Sequence, residues 1–180
     1  MGLRKLTHEE VVRRQIPRSR MARVPIVALL DNIRSLNNVG AIFRTADGAG
    51  IEKLWLCGIT GYPPQGGIAA TALGAEDSMA WEYASDAADV IGRYKALGYQ
   101  VVLLEQAEGA VAYDAFMPAG PVCLVLGNEV EGVADTLVKL ADAAIEIPMA
   151  GVKNSLNVAA AFAVAVFHLR RSLGDSFSML

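Results

Sequence analysis

Three short stretches of this chain gather residue types that bind and react: Asn38-Val-Gly-Ala-Ile-Phe-Arg44, Leu126-Gly-Asn-Glu-Val-Glu-Gly132 and Ile147-Pro-Met-Ala-Gly-Val-Lys-Asn-Ser-Leu-Asn157. Each sets glycine, a carboxamide and a charged side chain where an apolar run gives way to a loop or helix, the place where open α/β sheets build ligand sites. In the first, Asn38 reads as a helix N-cap and Arg44 falls between one and two turns further on. Gly40, inside that helix, costs about 1 kcal/mol relative to alanine and points to close approach by another backbone or a ligand. In the second, Gly127 and Gly132 let the backbone come near a ligand, Asn128 offers both donor and acceptor, and Glu129 a carboxylate. A tight strand-to-helix turn with acids favoured by the helix dipole explains the same residues structurally. Neither GxxxxGK[ST] nor GxGxxG is present, and the carboxylates would repel phosphate. In the third, Ser155 is an N-cap candidate, and the loop from Met149 to Asn154 offers apolar side chains and backbone groups suited to a flat neutral ring such as adenine.

The elements that must position these segments alternate along the chain. Thr7-His-Glu-Glu10 is a capping-box pattern that opens a helix through about Gln15, with Pro17 expected to stop it. Pro25 to Asp31 reads as a strand buried on both faces, Asn38 to Ala49 as a helix closed by Gly50, and Leu54 to Cys57 as the next strand. Tyr62 to Gly67 is rich in turn residues, and Trp81 to Tyr83 suggests a short strand. A helix capped by Ser85 runs to Leu97, then come the strands Gln100 to Leu104 and Val122 to Leu126. A helix from Val133 to Ala141, a strand from Ala144 to Ile147 and a long helix from Ser155 to Leu173 complete the chain. Such alternation predicts an α/β fold, a mainly parallel sheet with helices on both faces.

A chain of 180 residues fits one domain, and 53% apolar against 19% charged residues suits a soluble globule. Cys57 and Cys123 lie in apolar runs 66 positions apart, with no metal or disulfide pattern, and read as reduced core thiols of a cytoplasmic protein. The N-terminus has no apolar signal-peptide core. Val158 to Leu169 is far shorter than the roughly 20 residues needed to span a bilayer, so no membrane association is expected. His8 has no convincing partner, and His168 reads as helix packing. Net charge is −3, yet eight of the 16 basic residues fall in the first 34 positions against three acids, leaving that stretch at +5 and the rest at −8. A basic arm over residues 1–24 thus precedes an acidic body over 25–180, either as a solvated helix face or as an electrostatic footprint for phosphate.

Taken together, Asn38 to Arg44 followed by Thr45-Ala46, Leu126 to Gly132, and Ile147 to Met149 through Ser155-Leu-Asn157 resemble, in order and spacing, the three motifs of the SpoU family of SPOUT RNA methyltransferases. The resemblance covers about residues 26–172. It implies a SPOUT methyltransferase domain with a C-terminal trefoil knot, S-adenosylmethionine as cofactor, methylation of a ribose 2′-hydroxyl of tRNA or rRNA, and a homodimer in which the first motif of one chain completes the other's site. Carried over, Leu126, Gly127, Ile147, Met149 and Leu156 hold the cofactor, while Asn38, Arg44, Glu129, Ser155 and Asn157 form the catalytic and substrate site. No metal is implied. Two departures stand out: Ser35-Leu-Asn37 where the family often has a proline-containing turn, and Val130 where many members have glycine.

Methyl transfer to a hydroxyl needs the oxygen aligned and made nucleophilic. Arginine does not give up its proton in proteins, so Arg44 is expected to clamp phosphate and stabilise developing charge, with Glu129 or a substrate phosphate oxygen as candidate base. A non-catalytic RNA-binding dimer with the same fold is the alternative, and intact Arg44, Glu129, Ser155 and Asn157 speak against it. A small-molecule transferase would leave the basic arm unexplained.

Overall fold

Apolar strands without polar alternation must be covered on both faces, and the sheet of this chain shows how. The structure is a computed structural model that describes residues 2–19 and 23–174. In chain order its elements are α1 (His8–Ser19), β1 (Val24–Asp31), α2 (Leu36–Ala49), β2 (Ile51–Cys57), α3 (Gly66–Ala72), α4 (Ala75–Ser78) and β3 (Trp81–Ala84). Then come α5 (Ala87–Ala96), β4 (Gln100–Leu104), β5 (Val111–Ala112), β6 (Val122–Leu126), α6 (Asp135–Val138), β7 (Ala143–Glu146) and α7 (Val158–Leu173). The seven strands form one sheet in the order β3-β2-β1-β6-β4-β7-β5, every pair parallel.

Alternate residues of the central strands enter two separate cores. Ile26, Ala28, Leu30, Leu124 and Leu126 pack under α2, α3, α4 and α7, where Phe43 and Phe162 are fully buried. Val27, Leu29, Cys123 and Val125 face the other way, under α5 and α6. The predicted parallel α/β sheet with helices on both faces is what forms. Cys57 and Cys123 are free and buried, and burial pushes both thiols up to about 12, which makes them inert core residues. Among the described residues, no helix is long and apolar enough to cross a membrane.

Several element ends differ from the sequence-based expectation, and each difference has a local cause. Helix α1 has its capping box, Thr7 N donating to Glu10 Oε2 at 2.8 Å and Glu10 N to Thr7 Oγ1 at 3.3 Å, but it runs past Pro17 to Ser19. One missing N–H does not end the helix here. Helix α2 starts two residues before the expected Asn38, because Ser35 Oγ accepts from Asn38 N at 3.3 Å and is the true cap. Gly50 closes it at φ 67° as expected. Asp86, not Ser85, caps α5, accepting from Ala88 N at 2.8 Å. Asn157, not Ser155, caps α7 through Ala159 N and Ala160 N, so α7 begins at Val158. The helix expected over Val133 to Ala141 contracts to Asp135–Val138, and α3, α4 and β5 had no sequence signal strong enough to anticipate.

Candidate active site

The strands β4, β6 and β7 lie side by side and end at the same edge, so the loops that follow them meet. Together they enclose a cleft of about 390 Å³, within the usual range for small-molecule sites. Leu126, Ile147, Leu156 and Val158 give it apolar walls, and its charged lining residues are Glu105, Glu129, Glu131 and Glu146, with no lysine or arginine among the described residues. Such a site suits a ligand with a flat apolar part and net positive charge and repels free phosphate.

The second segment is wound by its own side chain. Asn128 N donates to Gly132 O at 3.0 Å and Gly132 N to Asn128 O at 2.9 Å, while Asn128 Oδ1 accepts from Val130 N and Glu131 N. Asn128 Nδ2 crosses to Asn32 O at 2.8 Å and ties this loop to the first segment. Gly132 sits at φ 72°, a left-handed conformation that favours glycine. Gly127 lines the cleft, yet a Cβ there would strike the backbone of Gly132 and Val133. Its glycine is demanded by the closure of the loop. Gly40, similarly, admits no Cβ because Thr71 Oγ1 and the Ile68 carbonyl press against it. Of the two explanations for a mid-helix glycine, a neighbouring backbone is the right one.

At the mouth of the cleft three of the expected residues join in a chain. The Glu129 carboxylate accepts from Arg34 N at 3.0 Å, Ser35 N at 3.1 Å and Asn38 Nδ2 at 3.0 Å. Asn38 Oδ1 in turn accepts from Asn157 Nδ2 at 3.0 Å. Because Ser35 takes the capping role on α2, the Asn38 carboxamide is free to bridge the second and third segments. Burial pushes the Glu129 carboxyl up, but the Arg34 amide, the Asn38 side chain and further backbone donors outweigh it and hold the group below the usual carboxylate range. An anion so saturated with donors is a poor proton acceptor near neutrality.

The remaining expected residues lie as follows. Leu126, Gly127, Ile147, Leu156 and Ser155 line the cleft, whereas Met149 is half-buried and does not line it. Arg44 is exposed on α2 and, among the described residues, has no hydrogen-bonding or ionic partner. Six residues past Asn38, it lies about 240° around the helix and about 9 Å along its axis, outside the cleft lining of its own chain. His168 packs as expected, with Nε2 at 2.8 Å from Phe116 O and its ring edge-on to Tyr113. Among the cleft residues outside the three named segments, sequence reasoning did not single out Glu105 and Gln106, directly after β4. Their signal, an acid and an amide after an apolar run, is the same as in the three named segments but only two residues long.

A parallel α/β sheet whose adjacent strand ends carry a small-molecule cleft, with a carboxylate-amide-amide chain at its mouth, defines the class of α/β enzymes that bind their ligand at the carboxyl edge of the sheet. Residues 25–167 match the SpoU rRNA Methylase family, and the chain belongs to it. It is 31% identical over 166 residues, 91% of its length, to the tRNA (guanosine(18)-2'-O)-methyltransferase of Thermus thermophilus, covering 79% of that protein. Among solved structures it is similar to the Aquifex aeolicus TrmH/SpoU tRNA modifying enzyme, with a TM-score of 0.80 and 26% identity over 93% of this chain and 86% of that one. It is also similar to the AdoMet-bound rRNA methyltransferase from Sinorhizobium meliloti, with a TM-score of 0.76 and 34% identity over 81% of this chain and 56% of that one.

Proposed function

We propose that this chain is an S-adenosylmethionine-dependent RNA methyltransferase that methylates a ribose 2′-hydroxyl of tRNA or rRNA. The observation that carries the reading is the Glu129–Asn38–Asn157 chain, which joins all three segments at one cleft in a chain of this family. The cleft fits the cofactor: apolar walls at Leu126, Ile147 and Leu156 for the adenine, and only negative charge for a cationic donor. When bound, S-adenosylmethionine supplies an electrophilic methyl group on a sulfonium. The protein's part is to hold a ribose oxygen in line with that methyl.

Glu129 acts in this scheme as the anchor of Asn38, because its carboxylate is already occupied by three donors and its pKa is lowered. Asn38 and Ser155 present polar groups toward the substrate. The hydroxyl proton leaves late, to water or a phosphate oxygen, once bond formation has made the oxygen acidic. Arg44 grips a substrate phosphate with its planar fork.

The separation of Arg44 from its own cleft supports a homodimer in which Arg44 serves the partner's site. Phe167 on α7, a large apolar side chain 46% exposed, fits the same arrangement, and a symmetric dimer is the simplest way to cover such a face. The C-terminal trefoil knot is part of the proposal, supported by β6 and β7 flanking the earlier strand β4. So is the division into a basic arm, residues 1–24, and a methyltransferase domain, residues 25–180, in the cytoplasm. Arg13 and Arg14 are exposed on α1, whereas Arg4 is engaged by Glu10 at 2.7 Å. The Arg18 side chain and Arg20 lie outside the described residues.

The test is methyl transfer from labelled S-adenosylmethionine to total tRNA and to rRNA transcripts, followed by mapping of sites that resist alkaline cleavage. Label in one RNA class at a single 2′-O position is the expected result. Cofactor binding without transfer to any RNA would favour a small-molecule transferase, and RNA binding without cofactor binding the non-catalytic dimer.

A further inference from the structure

The cleft has a fourth wall that none of the three motif segments supplies. Glu105 follows β4 directly and is fixed by its own backbone, since Glu105 N donates to Ile145 O at 3.1 Å and extends the β4–β7 ladder. Its carboxylate turns to the loop after β6: Oε2 accepts from Val133 N at 2.9 Å, and Oε1 accepts from Gln106 N at 2.9 Å. Gln106 turns the opposite way, its amide donating to the Asn154 carbonyl in the loop after β7. Two consecutive side chains therefore hold the two loops that form the rest of the cleft, and both line it themselves.

The four lining carboxylates are not equivalent. Glu129 is occupied by Arg34, Ser35 and Asn38 at the mouth, Glu131 is exposed, and Glu146, on β7, is half-buried with no donor fixing its carboxylate among the described residues. Glu105 is half-buried, makes no ion pair among the described residues, and has both oxygens oriented by backbone amides. A carboxylate so held stands on the cleft wall with no cation beside it among the described residues, and its hydrogen bonds fix its position at no entropic cost when a ligand binds.

We propose that Glu105 is a specificity-determining residue of the cofactor site. Its fixed charge favours the positively charged sulfonium donor over the neutral thioether product, while Gln106 is a positioning residue that sets the loop after β7. The proposal rests on the reading of the cleft as the S-adenosylmethionine site. Methyl transfer removes one positive charge from the cleft's occupant as the carbon–sulfur bond breaks and its electron pair stays on sulfur. The attraction to Glu105 is lost at that step, so the product is held more weakly than the donor.

Calorimetry on wild type, Glu105→Gln, Glu105→Asp and Gln106→Ala tests this with three ligands: S-adenosylmethionine, S-adenosylhomocysteine, and sinefungin, which carries an amine in place of the sulfonium. Glutamine keeps an acceptor for Val133 N but removes the charge. Glu105→Gln should weaken S-adenosylmethionine and sinefungin roughly tenfold and leave S-adenosylhomocysteine within about twofold, as expected of one charge pair at partial exposure. Glu105→Asp should retain most of the selectivity, and Gln106→Ala should weaken all three ligands alike. Equal losses for charged and neutral ligands in Glu105→Gln, or no loss, would overturn the assignment. If Glu105→Gln does not fold, wild type still decides: added salt should narrow the ratio of donor to product affinity, and a salt-independent ratio refutes charge selection. Failure of wild type to bind S-adenosylmethionine at all would instead overturn the cofactor reading, and this assignment with it.

Discussion

Asn157 and Asn38, 119 residues apart in sequence, meet side chain to side chain, Asn157 Nδ2 donating to Asn38 Oδ1 at 3.0 Å. The other end of the Asn157 carboxamide caps α7 through Ala159 N at 3.0 Å and Ala160 N at 3.4 Å. One residue thus starts the long C-terminal helix and orients the Asn38 amide at the mouth of the cleft. Asn157→Ala should lose both functions: about 1 kcal/mol of stability for the missing cap, together with turnover. Asn157→Asp keeps the cap but sets a carboxylate oxygen against Asn38 Oδ1. Its melting temperature should stay near that of wild type while methyl transfer falls more than tenfold. Full activity of the aspartate variant would mean that the asparagine pair is structural only.

Glu129 gives a pH prediction of definite sign. Its folded-state pKa is lowered, burial being outweighed by the Arg34, Asn38 and Ser35 donors, so its contribution to holding the first segment is complete above the unfolded carboxylate value and is lost as pH falls through the lower folded value. Near neutrality nothing titrates there. The pH–rate profile between about pH 6 and 8 should therefore have the same shape in wild type and Glu129→Gln, with the variant uniformly slower. Loss of the acidic limb in the variant alone would restore Glu129 as the proton acceptor.

Two glycines that look alike in sequence should behave differently. A Cβ at Gly127 would strike the Gly132–Val133 backbone beside the cleft, and a Cβ at Gly40 would strike Thr71 and the Ile68 carbonyl between α2 and α3. Both alanine variants should be destabilised by about 1–3 kcal/mol, the usual cost of forced overpacking. Only Gly127→Ala should also weaken S-adenosylmethionine binding, because the loop it displaces lines the cleft. Denaturant titration combined with calorimetry separates the two, and unchanged cofactor affinity in Gly127→Ala would mean that the loop can shift without touching the site.

The contrast marks what a sequence discloses. The strands Gln100–Leu104 and Val122–Leu126 were legible to the residue, because buried parallel strands are uninterrupted apolar runs. Helix starts were less legible. Ser35 and Asn38, or Ser155 and Asn157, are equally good caps by type, and the choice is made by tertiary partners: Glu129 and Asn157 take both ends of the Asn38 carboxamide, whereas Asn38 takes only Nδ2 of Asn157 and leaves its Oδ1 to cap α7. Glu105 and Gln106 were missed for a related reason. Their significance lies in reaching Val133 and Asn154, 28 and 48 residues away, a relation that the strand order creates and local pattern does not carry.

Arg44 tests the dimer and the chemistry at once. Arg44→Ala should abolish transfer with cofactor affinity within a few fold, and Arg44→Lys should rescue poorly, since a point charge does not replace a bidentate fork. If Arg44 serves the partner's cleft, mixing and re-equilibrating Arg44→Ala with Glu129→Ala should recover activity. A mixed dimer holds one site with an intact cleft facing an intact arginine, so random exchange restores about a quarter of wild-type turnover. No recovery despite demonstrated subunit exchange would place Arg44 at its own chain's site, and a stable active monomer in light scattering would remove the shared site altogether.

The basic arm should contribute affinity and no chemistry. Phosphate contacts position an RNA, and each one releases condensed counterions, so the number of contacts is read from the salt dependence of binding. Arg13 and Arg14 are exposed on α1, and replacing them together with Arg18 and Arg20 by glutamine should weaken RNA binding while leaving S-adenosylmethionine affinity unchanged. On a log–log plot against salt, each lost contact should flatten the slope by about 0.7–0.9. Arg4 makes a useful internal control, because Glu10 already neutralises it at 2.7 Å and Arg4→Gln should change the slope less than any of the four. An unchanged slope in the fourfold variant would mean that these arginines only solvate the arm, and the RNA surface would then have to be built around Arg44 and Lys153 instead.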